Sequence, residues 1–472
     1  MINYNKIMKV IRIKILNKPG AFGRIADVVG QNGSSIGDIK LVRRGNKYII
    51  RDITVYSKSP KQLEKMRKDL DKVENIKIIK VFSEISKLHE GGMLKTKSKV
   101  KIKNNSDLEK YFLPGISSIA NTINGNTKKV YEYTSLGESV GVVSNGSTLL
   151  NFNECKPETT YSILESASAV LNETVGVSAY PIVINELEKN KFINVIRSIH
   201  KSFGMIVIEG MRLSDNIEIE EKLKGLDTPI LDANKYGNGM VTLAGLINIA
   251  KKIEINLRKS KIGFLGFGSK ASGITELLQA YGVDKIYAAD ISEESKKNMK
   301  HYKVIELQNE REIMQKADIV IGTSRIQNLI KFGMVKKRQV ILALSKPEPE
   351  IKPEIARKAG AVYAGDGHLL NTMLVIPGLI KGILETRAKT VTIETMLTVA
   401  EKLAEITPID RILPNVFDNN LHEEISKVVR QSVKDEGIDN LFEEELEEEN
   451  DNKEKANDIF DKIKGINEWV GN

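Results

Sequence analysis

The chain has a single cysteine, Cys155, and so nothing for it to pair with. Internal disulfides and any cysteine-based zinc cage are excluded. Apolar runs are short, and none reaches the roughly 18 uncharged residues that a membrane span needs. The N-terminal stretch MINYNKIMKVIRIKIL lacks the unbroken apolar segment of a signal peptide. Its Lys and Arg residues alternate with apolar ones, which is a strand pattern. Zinc-finger spacing and an aromatic RNA-binding signature are missing too. The formal charge of +9 is spread along the chain and mixed with Glu, so it reads as solvated faces and not as a nucleic-acid footprint. These absences predict a cytoplasmic protein with neither a nucleic-acid nor a membrane partner. The basic balance leaves room for a small anionic ligand.

What is present is an ordinary globular composition, 41% apolar and 28% charged, over 472 residues. That length is enough for two or three domains with separate cores. The pattern predicts an α/β protein. Residues 8–86 form a first block: VIRIKIL, IGDIKLVRR, YIIRDITVYS and IKIIKVFSEI read as strands. RIADVVGQNG, ended by Asn32-Gly33, and SPKQLEKMRKDLDKV, capped by Ser57 or Ser59, read as helices. The order βαββαβ is a ferredoxin-like plan. A Lys-, Gly- and Ser-rich linker spans 87–107. Two larger blocks follow at 108–255 and 256–440, and an acidic tail at 441–472.

The sharpest motif opens the third block. SKIGFLGFGSKASGITELLQAYGVDKIYAAD reads as strand, turn, helix and strand. Gly266-Phe267-Gly268-Ser269-Lys270-Ala271 is G-x-G-x-x-A. Gly266 permits the tight turn, and Gly268 lets backbone amides reach a pyrophosphate. Ala271 keeps the helix close to its strand. The helix N-terminus then faces the phosphates. Asp290 follows about 20 residues later, placed for the adenosine ribose hydroxyls, which favours NAD over NADP. Its bland alternative is a cap for the helix ISEESKKNM. KADIVIGTSR reads as a later strand, with Thr323 and Ser324 at its carboxyl end, where ligands of such sheets bind. These residues predict a Rossmann-type domain with NAD as cofactor.

Two resemblances add to this reading. Asn17-Lys18-Pro19-Gly20-Ala21-Phe22-Gly23 resembles the first strand–helix turn of the ACT domain. That resemblance implies an amino-acid effector near Asn17, Gly20 and Gly23. Residues from about Leu108 to Asp418 resemble malic enzymes. The resemblance is carried by YEYTSLGESVGVVSNGS, ILESASAVLNETVGVSAYPIVI, FGMIVIEG, PILDANKYGNGMVTLAGLINIAKK, VILALSKPEPEIKPEIARKAGA and VIPGLIKGILETRAK. It implies oxidation and decarboxylation of malate with NAD(P) and a divalent metal, by a homo-oligomer. Malic enzymes of a small prokaryotic type sometimes carry an N-terminal ACT domain.

Carried over position by position, the family's chemistry is mostly replaced. Its tyrosine falls at Phe112, with Tyr111 one residue early, and its lysine falls at Ala167. The first metal pair falls at Glu209-Gly210 and the third carboxylate at Asn234, with Asp232 two residues before. One carboxylate and one amide make a poor seat for a hard cation, so no metal is expected. The two substrate-side asparagines fall at Lys346 and Thr372, beside Asn371, and the glycine-rich segment reads LLNFNECK. Three lysines, Lys156, Lys235 and Lys346, reach substrate-side positions, where with Glu209 and Asn371 they are expected to hold an anion. Tyr111, Lys235 and Lys346 are the proton-relay candidates, and a lysine with a depressed pKa serves as a base. Cys155 reads as a buried thiol, and His200 and His368 as structural or surface groups, with His368 the better site candidate. Two function classes follow. One is an NAD-linked oxidoreductase with altered chemistry on a hydroxy acid or related anion. The other is a non-catalytic NAD sensor with an ACT effector module. Standard malate decarboxylation stands behind both.

Overall fold

The computed structural model describes residues 7–148, 155–210 and 213–439. The acidic tail and most of LLNFNECK lie outside them. The chain divides into two compact units, 1–97 and 98–472, so the break falls inside the expected linker.

In the first unit, β1 (Ile7–Leu16), β2 (Ser35–Arg44), β3 (Tyr48–Ser57) and β4 (Ile76–Phe82) form an antiparallel sheet in the order β2-β3-β1-β4. The helices Ala21–Gln31 and Pro60–Asp71 lie between β1 and β2 and between β3 and β4. Alternation in β1 sends Ile11, Ile13 and Ile15 into the core, where they meet Ile25, Val29, Met66 and Leu70 of the helices. Ser59 is the cap of the second helix, its hydroxyl accepting the Gln62 N–H at 3.2 Å. The chain beyond Phe82 leaves the sheet: Glu84–Leu88 is a short helix where a strand end was expected. The predicted βαββαβ order is thus the observed one.

The second unit holds two parallel sheets. β5 (Ser139–Ser144), β6 (Ser178–Val183), β7 (Met205–Ile208) and β8 (Ile230–Asp232) stand in the order β6-β5-β7-β8. β9 (Ile262–Leu265), β10 (Ile286–Ala289), β11 (Ile305–Glu306), β12 (Ile319–Gly322), β13 (Val340–Ala343) and β14 (Tyr363–Asp366) stand in the order β11-β10-β9-β12-β13-β14. β9, β12 and β13 are buried along their whole length, as strands covered on both faces must be. Numbered from β9, the second order is 3-2-1-4-5-6. The direction of winding reverses between β9 and β12, and such a reversal opens a crevice at the carboxyl edge.

The helix Ala233–Lys252 is buried on most sides, and it packs against Ser269–Ala280 and Ile393–Glu405. Its crossing with Ser269–Ala280 is made by bare backbone. A Cβ on Gly239 would lie 2.7 Å from the Gly273 carbonyl oxygen, and one on Gly273 would run into the Lys235 carbonyl. The most apolar helical stretch, Gly367–Glu385, is broken into two 3-10 turns and the helix Ile376–Glu385, which is mostly buried as core.

Candidate functional site

At the carboxyl end of β9 the glycine turn is held by its neighbours. Gly266 has φ +85°, and a Cβ there would sit 2.6 Å from the Ser324 Cα, so this position accepts only glycine. The Thr323 hydroxyl donates to the Gly266 carbonyl at 2.8 Å, and its backbone N–H donates to Leu265 at 2.8 Å. The turn therefore leans on the end of β12. Gly268 begins the helix Ser269–Ala280, and a Cβ built on it meets nothing within 4 Å. Open space lies above a helix start, the arrangement that takes an anionic phosphate. Ala271 is fully buried beneath it.

Asp290 lies just past β10. One of its oxygens accepts the Phe267 N–H at 2.7 Å and the other the Ser292 N–H at 2.9 Å, so it braces the glycine turn from the side. The cap of the following helix is Ser292. Each carboxylate oxygen keeps lone-pair capacity for a further donor. These residues fit the adenosine and pyrophosphate half of a dinucleotide.

Glu209, Asp232 and Asn234 form a second group. Ile208 pairs with Asp232 in the sheet, which sets Glu209 and Asp232 at adjacent strand ends. Asn234 Nδ2 donates to Glu209 Oε2 at 2.6 Å. Asp232 is buried and accepts the Lys235 N–H at 2.8 Å as the cap of the helix Ala233–Lys252. Burial, and then the neighbouring Asp232, push the Glu209 carboxyl up to about 8. The divalent metal implied by the resemblance does not fit this set. An amide donor faces the Glu209 oxygen that a cation would need, and Asp232 is engaged in capping. No group of three His, Cys, Asp or Glu side chains comes together among the described residues.

The structure separates the three lysines that the sequence grouped. Lys156 is exposed at the start of the helix Pro157–Val175. Lys235 is 1% exposed and points into a different cluster. Its Nζ lies 2.7 Å from Glu220 Oε2, 2.7 Å from Glu276 Oε1 and 2.9 Å from the Tyr236 hydroxyl, and 4.4 Å from the centre of the Tyr236 ring. Burial works against its charge, but Tyr236, Glu220, Glu276 and Tyr302 outweigh burial and raise its pKa. This corrects the expectation of a lysine poised as a base: an ammonium held by two carboxylates keeps its proton.

Lys346 lies beyond β13 in other company. Lys270, from the glycine turn, reaches across the end of β12 and donates to the Leu344 carbonyl at 3.3 Å. Burial, and then Lys346 and Arg325, lower its pKa to about 8, with Glu350 opposing. Glu350 is fully buried beneath them. Its Oε1 accepts the Ser324 N–H at 2.8 Å, the Ser324 hydroxyl at 2.9 Å and the Ser345 hydroxyl at 2.5 Å. The Arg325 N–H donates to the Ser345 hydroxyl at 2.8 Å. The loops after β12 and β13 are thereby fastened to one buried carboxylate. Lys270, Arg325 and Glu350 were not singled out from the sequence, although Lys270 stands inside the glycine motif itself.

The remaining candidates lie elsewhere. Tyr111 is 46% exposed and ends a short helix that buries none of its residues. Asn371 is exposed and accepts the Met373 N–H as the cap of a 3-10 turn. Thr372 packs against Gly237, and Ala167 packs on the core. Cys155 is buried. His200 is buried with Nδ1 3.0 Å from the Thr228 hydroxyl, and His368 is exposed. In the first unit, Asn17 Nδ2 donates to the Gly45 carbonyl at 3.3 Å and so holds the β2–β3 turn. Gly20 has φ +79°, and a Cβ on Gly20 or Gly23 meets nothing within 4 Å.

Comparison with known proteins places these features among relatives. The chain is 30% identical over 429 residues to NAD-dependent malic enzyme 1 of Bacillus subtilis, covering 90% of this chain and 98% of that protein. It is 28% identical over 453 residues to the NAD-dependent malic enzyme of Geobacillus stearothermophilus, covering 91% and 95%. NADP-dependent malic enzymes match over less of the chain. The crystal structure of malic enzyme from Pyrococcus horikoshii superposes with a TM-score of 0.69 at 26% identity, covering 74% of this chain and 88% of that one. No family model matches.

Proposed function

The chain belongs to the malic enzyme family, and on that premise we propose that it is an NAD-linked oxidoreductase whose substrate chemistry has moved away from metal-dependent decarboxylation of malate. The observation that carries the reading is the glycine turn: Gly266 is locked against Ser324, and open space lies over Gly268 at the switch point of a Rossmann-type sheet. The cofactor supplies a hydride acceptor. The protein's own residues supply its seat: the helix start at Ser269, the braced Asp290 for the ribose, and Thr323 and Ser324 on the other side of the crevice. Asp290 disfavours a 2′-phosphate by charge, and NAD is therefore favoured over NADP.

The changed chemistry is supported by the second strand-end group, where Asn234 donates to Glu209 and Asp232 serves as a helix cap. Of the proton-relay candidates, Lys235 is closed inside an ion cluster and Tyr111 ends a short helix that buries none of its residues, which leaves Lys346, exposed at the carboxyl edge beside Lys270. The substrate is a small hydroxy acid or a related anion. A homo-oligomer is part of the reading, since Phe112 and Leu113 are 62% and 60% exposed in the junction between two helices that bury no residue. The setting is cytoplasmic.

A second reading, an NAD-binding sensor with an ACT-like module, is supported by the separate compactness of residues 1–97 and by the open turn at Gly20 and Gly23. The two readings share the cofactor site. The test is an NAD titration beside NADH absorbance with malate, with and without manganese, on the protein and on Gly268→Asp. The reading expects NAD to bind, Gly268→Asp to weaken it by about 100-fold or more, and manganese to bring no malate turnover. Unchanged NAD affinity in the variant removes the cofactor site from the reading. Manganese-dependent turnover removes the changed chemistry.

A further inference from the structure

Three cations converge at the carboxyl edge of the six-stranded sheet, each from a different strand end. Lys270 follows β9, Arg325 follows β12 and Lys346 follows β13. The segments that carry them are fastened side by side: Lys270 Nζ donates to the Leu344 carbonyl two residues before Lys346, the Arg325 backbone N–H donates to Ser345, and Ser324 and Ser345 both donate to Glu350. The loop after β14 closes the fourth side, since a Cβ on Gly367 would lie 3.0 Å from both the Leu344 carbonyl oxygen and Lys346 Cγ.

The charge does not balance. Among the described residues Glu350 is the acid that acts on Lys270, and its oxygens are taken up by serine hydroxyls and N–H groups. Among the described residues no ion pair to Lys270, Arg325 or Lys346 is seen, and the Lys270 Nζ contact is with the Leu344 carbonyl. Like charges held together without an anion are costly; Arg325 and Lys346 are exposed, and burial adds to that cost at the half-buried Lys270. The lowered pKa of Lys270 is one expression of that cost.

We propose that Lys270, Arg325 and Lys346 form the seat for an anionic group, carboxylate or phosphate, of the substrate, on the side of the crevice away from Asp290. This rests on the oxidoreductase reading and names how its substrate is held. Lys346 stands where the family resemblance places a substrate-side asparagine, so a neutral amide has become a cation. The cluster supplies by fixed positive charge what the Glu209–Asn234 pair no longer offers through a metal. Arg325 brings a planar fork of donors and the two lysines bring point charges, a set suited to a group with two or three acceptor oxygens.

The cofactor's own pyrophosphate is the other anion within reach of the glycine turn, and the test separates the two. Inorganic phosphate is titrated calorimetrically into the full-length protein, alone and with saturating NAD, and then into Lys346→Asn and Lys270→Met. NAD is titrated into each protein in parallel. Phosphate is expected to bind with a Kd of about 1 mM or tighter, and each variant to weaken it by about tenfold. Bound NAD is expected to leave the phosphate affinity within about threefold. L-malate that displaces the phosphate marks a carboxylate ligand, and phosphate retained against malate marks a phosphorylated one. Absence of phosphate binding, or binding by both variants as tight as by the parent protein, overturns the proposal. Displacement of phosphate by NAD also overturns it, because the cluster then seats the pyrophosphate. Failure of the cofactor reading shows separately, as phosphate binding by a protein that does not titrate with NAD.

Discussion

Lys235 and Lys270 lie on two helices that cross at Gly239 and Gly273, yet their environments are opposite. Lys235 is the more buried, and desolvation alone would strip its proton. Two carboxylates and two tyrosines surround it, and its pKa rises. Lys270 keeps more contact with solvent, yet burial lowers its pKa, and its neighbours Lys346 and Arg325 lower it further against one acid already bonded elsewhere. Burial lowers both, and the sign of the neighbouring charges decides whether it is outweighed. A compensated lysine holds elements together, whereas an uncompensated cluster is held together by the fold and awaits a counter-charge.

The strongest way to break this comparison is to remove the compensated charge. Lys235→Met leaves Glu220 and Glu276 facing each other without their cation, and Tyr236 loses its partner. The cost is expected to be about 3 kcal/mol of stability, toward the low end for a broken buried pair because Glu220 keeps some solvent contact. Urea unfolding measures it, and phosphate affinity should stay as in the parent. A loss below about 1 kcal/mol would show that the Lys235 cluster is no more than a solvated ion pair, and the contrast with Lys270 would collapse.

How far these sites were legible in the sequence differs between them, for a physical reason. The glycine turn is written in consecutive residues, so Gly266, Gly268, Ala271 and the strand on either side were readable before any coordinates. The βαββαβ order of residues 7–82 was readable as well, because alternation in strands and helix stops leave local marks. The two lysine environments were not. Lys235 meets Glu220 and Glu276 across 15 and 41 positions of chain, the latter through a helix crossing made by glycines, and no local pattern encodes that meeting. Lys346 was marked by comparison with its family, but its companions Lys270 and Arg325 join it only through the parallel order of β9, β12 and β13. Grouping Lys156, Lys235 and Lys346 by substitution pattern alone therefore joined side chains that the fold sends in different directions.

A smaller effect of opposite sign is expected at the other lysine. Lys270→Met removes a charge that the native state holds at a cost, so stability near neutral pH should rise, by about 1 kcal/mol after solvent screening is allowed for. The sign follows from proton binding. The folded pKa is about 8 and the unfolded value 10.5, so the unfolded chain holds a proton between them that the native protein has released. Parent stability climbs across that interval, and the variant's advantage is full below about 8 and gone above 10.5. Urea unfolding of both proteins at neutral pH and at high pH tests this. A variant that is less stable at neutral pH would mean that Lys270 is compensated after all.

The smallest expected effect concerns the anion itself. Lys270 faces Lys346, Arg325 and Glu350, and its proton is the charge in the cluster whose pKa is displaced to about 8. A bound anion favours the protonated form, so binding takes up a proton once the pH exceeds that value. Sulfate is the suitable probe because its own charge is constant over the range. Its affinity should be level below about pH 8 and then fall by about fivefold toward pH 9. Lys270→Met should bind more weakly throughout and show no such fall. A parent profile as flat as the variant's would mean that the anion, wherever it binds, does not touch Lys270. The seat would then have to be built from Arg325 and Lys346 without the glycine turn, and the substrate would lie further from the cofactor.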